Sequence, residues 1–182
     1  MGFLVGKTAI ITGAGFAALG NGRPGSIGYG TAVAYAREGA NLVITGRNVA
    51  KLERAREELE ASYPVKVVPV RADVSAHGDN EAIVQNVVDR ALSEFGRIDV
   101  LMNNAGITHR QDFLSCSQEG WLDVLDTNLS GVFYVGQAVA RENGKLLSAD
   151  QRSQSVNGRK TCPDVVPGIF AHNRIQGLAV YI

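Results

Sequence analysis

Cysteine, histidine and tryptophan are scarce in this chain: two, three and one in 182 residues. Cys116 and Cys162 have neither metal-ligand spacing nor a disulfide framework, so both read as free thiols of a reducing compartment, and no metal site is expected. No apolar run approaches the roughly 20 residues of a membrane-spanning helix. The opening Met1-Gly2-Phe3-Leu4-Val5-Gly6-Lys7 also lacks the apolar stretch of a secretory signal. A cytoplasmic protein without membrane association is therefore expected. A surplus of one charge is missing as well. Residues 1–140 hold 12 Lys and Arg against 15 Asp and Glu, and residues 141–182 hold 6 against 3. A basic excess that small is no nucleic-acid footprint, which needs a concentrated basic face.

What is present is alternation. Lys7 to Thr12 is a short β-branched run ending in glycines, which predicts a buried first strand. Ile27, Ala32, Val33, Tyr35 and Ala36 then suit a helix packed on a sheet, stopped at Gly39. Leu42 to Thr45 reads as a second strand. Asn48 caps a helix whose Val49, Leu52, Ala55, Leu59 and Tyr63 recur at three and four residues, and Pro64 ends it. Val65 to Val70, a helix over 81–95 and a strand over 98–102 continue the pattern. Ser117 to Arg141 reads as one long helix with apolar residues on more than one side. It is expected to pack on the sheet and on something else, for which a second subunit (a homo-oligomer through 117–141) is one candidate. Strands and helices alternating at these lengths imply an α/β fold, a doubly wound parallel sheet that binds ligands at its strands' carboxyl ends. The pattern fades after Arg141. Residues 1–143 are thus expected to carry the nucleotide-binding unit and 144–182 a diverged or shortened end of the same domain. Asp164 to Phe170 and Leu178 to Ile182 are candidate short strands.

The chemistry sits in the loops. A dinucleotide's pyrophosphate needs backbone N–H groups at a helix N-terminus, and glycines in the first strand-to-helix turn allow that approach. Thr12, Gly13 and Gly15, then Ser26, Ile27 and Gly28, form such a turn. Fifteen positions separate Gly13 from Gly28, nine more than in the compact form, and Phe16 to Pro24 is expected to loop out over the site. After the second strand, Arg47 stands where an acidic residue would favour NAD(H). It points to the 2′-phosphate of NADP(H), the alternative being an ordinary surface arginine.

These residues, with Asp73-Val74, Asn103-Asn104-Ala105-Gly106 and Asn128-Leu129-Ser130-Gly131, resemble the short-chain dehydrogenase/reductase family in its classical branch over about residues 5–140. The resemblance implies a Rossmann-like three-layer fold and a nicotinamide cofactor, with NADP(H) preferred and NAD(H) also admitted. It implies a small carbonyl or alcohol substrate. It also implies that Asp73 holds the adenine amino group, that Asn104, Ala105 and Gly106 line the adenosine side, and that Asn128 interrupts its helix to position a water of the proton relay. Ser155, in Gln154-Ser155-Val156-Asn157-Gly158, resembles the catalytic serine of 3-oxoacyl-carrier-protein and acetoacetyl-CoA reductases.

That family's chemistry also uses a tyrosine with a lysine four residues later, since positive charge beside a phenol favours the phenolate. No tyrosine of this sequence has one, and Phe170 and Arg174 keep only the spacing. Phenylalanine exchanges no proton, and a loop histidine such as His172 has no identified partner to hold it as a substitute. The resemblance further implies strands and a substrate-covering helix beyond residue 182. The expectation is a cofactor site without its proton donor, in an oxidoreductase or in a non-enzymatic NADP(H)-binding protein.

Overall fold

The computed structural model describes residues 2–75, 80–110, 112–151 and 179–181. Five parallel strands, β1 (Thr8–Ile11), β2 (Asn41–Gly46), β3 (Val67–Arg71), β4 (Val100–Met102) and β5 (Ala179–Tyr181), lie in the order β3-β2-β1-β4-β5. The helices are α1 (Ile27–Arg37), α2 (Val49–Ser62), α3 (Asn80–Phe95), α4 (Gln118–Leu125) and α5 (Gly131–Gln151). Successive strand residues face opposite sides, so β1 feeds two cores. Ile11 joins Ile44, Leu52, Leu59 and Ala32 on the α1/α2 face, whereas Ile10 joins Val43, Val88, Leu101 and Val139 on the α3/α5 face. Strands buried on both faces need continuous apolar runs, which is why Ala9-Ile10-Ile11 and Leu42-Val43-Ile44 show no polar alternation. The doubly wound, three-layer architecture is the expected one.

Local chemistry sets the element ends. Asn48 Oδ1 accepts from the Lys51 N–H to start α2, and Ser26 Oγ accepts from the Tyr29 N–H to start α1. At the opposite edge of the sheet Asp99 accepts from the Thr8 N–H at 2.9 Å, from Lys7 Nζ at 3.2 Å and from Arg97 Nε at 2.8 Å, tying β1 to the entry of β4. Burial alone would push the Asp99 carboxyl up. The Arg97, Thr8 and Lys7 donors outweigh it and hold the group below the usual aspartate range.

Two expectations change. Ile27 is not a core residue: it is 76% exposed at the first position of α1, and Tyr29 is buried there instead. The helix expected over 117–141 is α4 and α5 joined by a π-helical turn at Asp126–Ser130, and it continues to Gln151. Arg141, Glu142 and Asn143 hid that continuation, because they interrupt the apolar pattern without lowering helix propensity much. Within α5, Asn143 Nδ2 donates to the Ile98 carbonyl. The segment 164–170 lies outside the described residues, while Ala179–Tyr181 forms β5 against β4.

Candidate cofactor site at the carboxyl edge of the sheet

The order β3-β2-β1-β4-β5 reverses direction between β1 and β4, and open α/β sheets leave their ligand crevice at such a switch point. Here the crevice is closed by side-chain hydrogen bonds. Thr12 Oγ1 accepts from the N–H groups of Asn104 and Ala105, both at 2.9 Å. Asn104 Nδ2 donates in return to the Thr12 carbonyl at 2.9 Å and the Gly13 carbonyl at 3.3 Å. The loop after β4 is thus stitched to the turn after β1 by four bonds.

Gly13 takes φ +69°, the left-handed conformation that side chains disfavour, and any Cβ there would lie 3.0 Å from Ala105 Cα. Gly28, in the first turn of α1, packs on the same knot: a Cβ would collide with the Gly13 carbonyl oxygen and Asn104 Nδ2. The helix N-terminus can approach the β1 turn only because residue 28 lacks a side chain. Ser26 caps that helix, and Gly15 abuts Lys51 of α2.

Beside the knot a cleft of about 150 Å³ opens at the strand ends. Gly13, Arg47, Asp73, Val74, Ala105 and Gly106 line it, all named from the sequence. Thr45, Ala72, Ile107 and Thr127 line it too and carried no motif signal, since each reads as an ordinary strand-end, loop or helix residue. Arg47 Nη1 stands 3.8 Å from Asp73 Oδ2, an exposed pair of small energetic weight. Asp73 Oδ1 accepts from the Ser75 N–H and hydroxyl, which fixes the carboxylate at the mouth of the cleft.

Asn128 occupies the middle of the π-helical turn. Its Oδ1 accepts from the Ile107 N–H and its Nδ2 donates to the Ile107 carbonyl, both at 2.9 Å. The helix interruption expected at this residue is therefore real, and the side chain is spent on the loop after β4. A π-bulge in a helix frequently marks a functional position. Ser155, Phe170, His172 and Arg174 lie outside the described residues.

The insert forms a short antiparallel hairpin, with Ala18 bridged to Pro24 and the Leu19 N–H donating to the Arg23 carbonyl. Its root packs on α1 and α2, and none of residues 16–24 lines the cleft. Phe16, the aromatic residue of the insert, was the available signal for that anchorage.

Among known proteins, the short chain dehydrogenase family model matches residues 7–154. The chain is 55% identical over 105 residues to the 12alpha-hydroxysteroid dehydrogenase of Clostridium sp., covering 58% of this chain and 38% of that one. It is 38% identical over 145 residues to the 3-oxoacyl-[acyl-carrier-protein] reductase of Chlamydia muridarum, covering 80% and 53%. The alcohol dehydrogenase of the archaeon Thermococcus sibiricus, solved with 5-hydroxy-NADP, superposes with a TM-score of 0.64 at 30% identity, covering 76% and 54%. The chain spans only part of each relative's length. With the knot, the cleft and the strand order already in place, the match identifies this chain as a member of the short-chain dehydrogenase/reductase family.

Proposed function

We propose that this chain binds a nicotinamide dinucleotide, NADP(H) in preference to NAD(H), and that its 182 residues do not by themselves reduce ketones at a useful rate. One observation carries the cofactor reading: six residues named from the sequence converge on a single cleft beside a glycine-permitted helix N-terminus. The residues fit the group. A cleft of about 150 Å³ suits one end of a dinucleotide, not all of it. Asp73 and Val74 would take the adenine, Ala105 and Gly106 would flank the adenosine, and Arg47 would meet a 2′-phosphate. The first N–H groups of a helix lack intrahelical partners. Ser26 takes that of Tyr29, so those of Ile27 and Gly28 would receive the pyrophosphate. Exposed Ile27 then has an apolar ring to cover.

When bound, the cofactor supplies hydride exchange with a small carbonyl or secondary alcohol. Asn128 and Ser155 are the residues of this sequence proposed to serve that chemistry, Asn128 by shaping the loop after β4 and Ser155 as a carbonyl donor. The missing Tyr-x-x-x-Lys pair leaves no proton donor.

A second reading, a non-enzymatic NADP(H)-binding or interaction protein, draws support from that missing pair. It is also supported by the apolar face of α4 and α5, where Trp121, Leu129 and Phe133 are at least half exposed. A second copy of the chain is the proposed occupant of that face. No nucleic-acid or membrane partner is proposed; among the described residues no helix is long and apolar enough to cross a membrane. A cytoplasmic setting completes the reading.

A titration followed by nicotinamide fluorescence, with a panel of ketones then added to the same cuvette, tests both the cofactor binding and the lack of turnover. Enhanced NADPH fluorescence without oxidation is expected. Absence of any enhancement sinks the cofactor reading, and steady NADPH oxidation sinks the inactivity.

A further inference from the structure

The phosphate turn carries nine more residues than its compact form, yet Gly13 and Gly28 still meet. Loop expansion at a binding turn ordinarily loosens it, since each added residue must be ordered. The hairpin closes the extra length upon itself: the Gly25 N–H donates to the Ala17 carbonyl at 2.8 Å, one residue outside the Ala18–Pro24 bridge. Phe16 stands immediately before this closure and is held from three sides. Its ring centroid lies 5.0 Å from that of Tyr29 on α1, and Arg54 Cζ of α2 sits 3.9 Å above it. Its N–H donates to the Lys51 carbonyl at 2.8 Å in the first turn of α2. Two residues earlier the Ala14 N–H donates to the Thr45 carbonyl of β2, and between them a Cβ on Gly15 would lie 3.2 Å from that of Lys51.

We propose that Phe16 is a positioning residue that locks the phosphate turn to the start of α2, so that the pyrophosphate end and the Arg47 end of the site are held as one preorganised body. This rests on the cofactor reading above. Phe16 does not line the cleft; it acts through the Lys51 carbonyl and Arg54. Preorganisation of this kind sets affinity by removing ordering costs at binding. Its loss should weaken NADPH more than NADH, because the Arg47 end is the one proposed to meet the 2′-phosphate.

The test measures NADPH and NADH dissociation constants and melting temperatures for the wild-type chain, Phe16→Leu, Phe16→Tyr and Arg54→Gln. Leucine keeps apolar burial and removes the cation–π contact, tyrosine keeps both, and exposed Arg54 can be changed without touching the core. The expected result is roughly fivefold weaker NADPH binding for Phe16→Leu and for Arg54→Gln. The NADPH preference should narrow, the melting temperature should shift little, and Phe16→Tyr should restore affinity. Unchanged affinity in Phe16→Leu overturns the proposal and leaves the cofactor reading standing. Equal weakening of both cofactors in step with a lost melting temperature overturns it too, by reducing Phe16 to a core residue. A wild-type chain that binds neither nucleotide overturns the cofactor reading, and the positioning role with it.

Discussion

The turn between β1 and α1 and the helical run after β4 both border the carboxyl edge of the sheet, but they are finished to different degrees. At the turn, Thr12 Oγ1 accepts from two amides, Asn104 Nδ2 donates to two carbonyls, and Gly28 leaves no room for a methyl group. On α4 and α5 the packing is one-sided. Val135 and Val139 are buried against α3, while Trp121, Leu129 and Phe133 face outward. The first region completes itself within residues 8–107. The second leaves apolar side chains that the described residues do not cover, and scattered single residues of that kind would need no explanation, whereas three along the α4–α5 run do.

The sharpest way to break the contrast is at Gly28. Gly28→Ala should cost about 3 kcal/mol or more, because the new methyl meets backbone and an engaged amide, neither of which can give way. Denaturant unfolding reads the loss; near-wild-type stability would mean that the helix and turn are not in contact. Thr12→Val comes next. It keeps the shape but leaves the Asn104 and Ala105 N–H groups without their acceptor, for an expected loss of about 2 kcal/mol by the same measurement.

Asp99, at the other end of β1, gives a pH signature. Its carboxyl is held below the ordinary range in the fold, so its contribution is fully present above the unfolded aspartate value, about 3.9, and is lost as the pH falls below that toward the lowered value. Asp99→Asn should lower stability at neutral pH by about 1 kcal/mol, since half-exposed Lys7 and Arg97 are partly screened. It should also flatten the acid limb of a melting-temperature profile. A variant with the wild-type acid limb would remove Asp99 from the account.

The smallest effect belongs to the open face. Trp121→Ser with Phe133→Ser should change monomer stability by under about 0.5 kcal/mol. Sedimentation should nevertheless show a shift toward monomer. A wild-type chain that is monomeric at every concentration removes the second copy as occupant.

The same contrast governs what could be read from the sequence. The strands of the doubly wound sheet follow from apolar runs such as Ala9-Ile10-Ile11, whose burial needs no knowledge of distant residues; their order was not in the sequence reading. The cleft was legible because Asp73, Ala105 and Gly106 belong to motifs, each at a strand end. Thr127 and Ile107 were not, because what brings them to the cleft is tertiary: the π-helical turn and the double hydrogen bond of Asn128 to Ile107. The course of the insert was not legible for a related reason: its root is set by the tertiary contacts of Phe16 with Tyr29 and Arg54. Ile27 misled, an apolar helix residue left in solvent at the lip of the site.

Thermal melting with added nucleotide tests the central claim most directly, because a ligand that binds only the folded state must raise its stability. At NADPH concentrations about a hundredfold above the dissociation constant, the gain of about 2.7 kcal/mol should raise the melting temperature by roughly 5 °C or more. NADH at the same concentration should raise it less, and Arg47→Gln should erase the difference between the two. A melting temperature indifferent to millimolar NADPH and NADH alike would contradict the account.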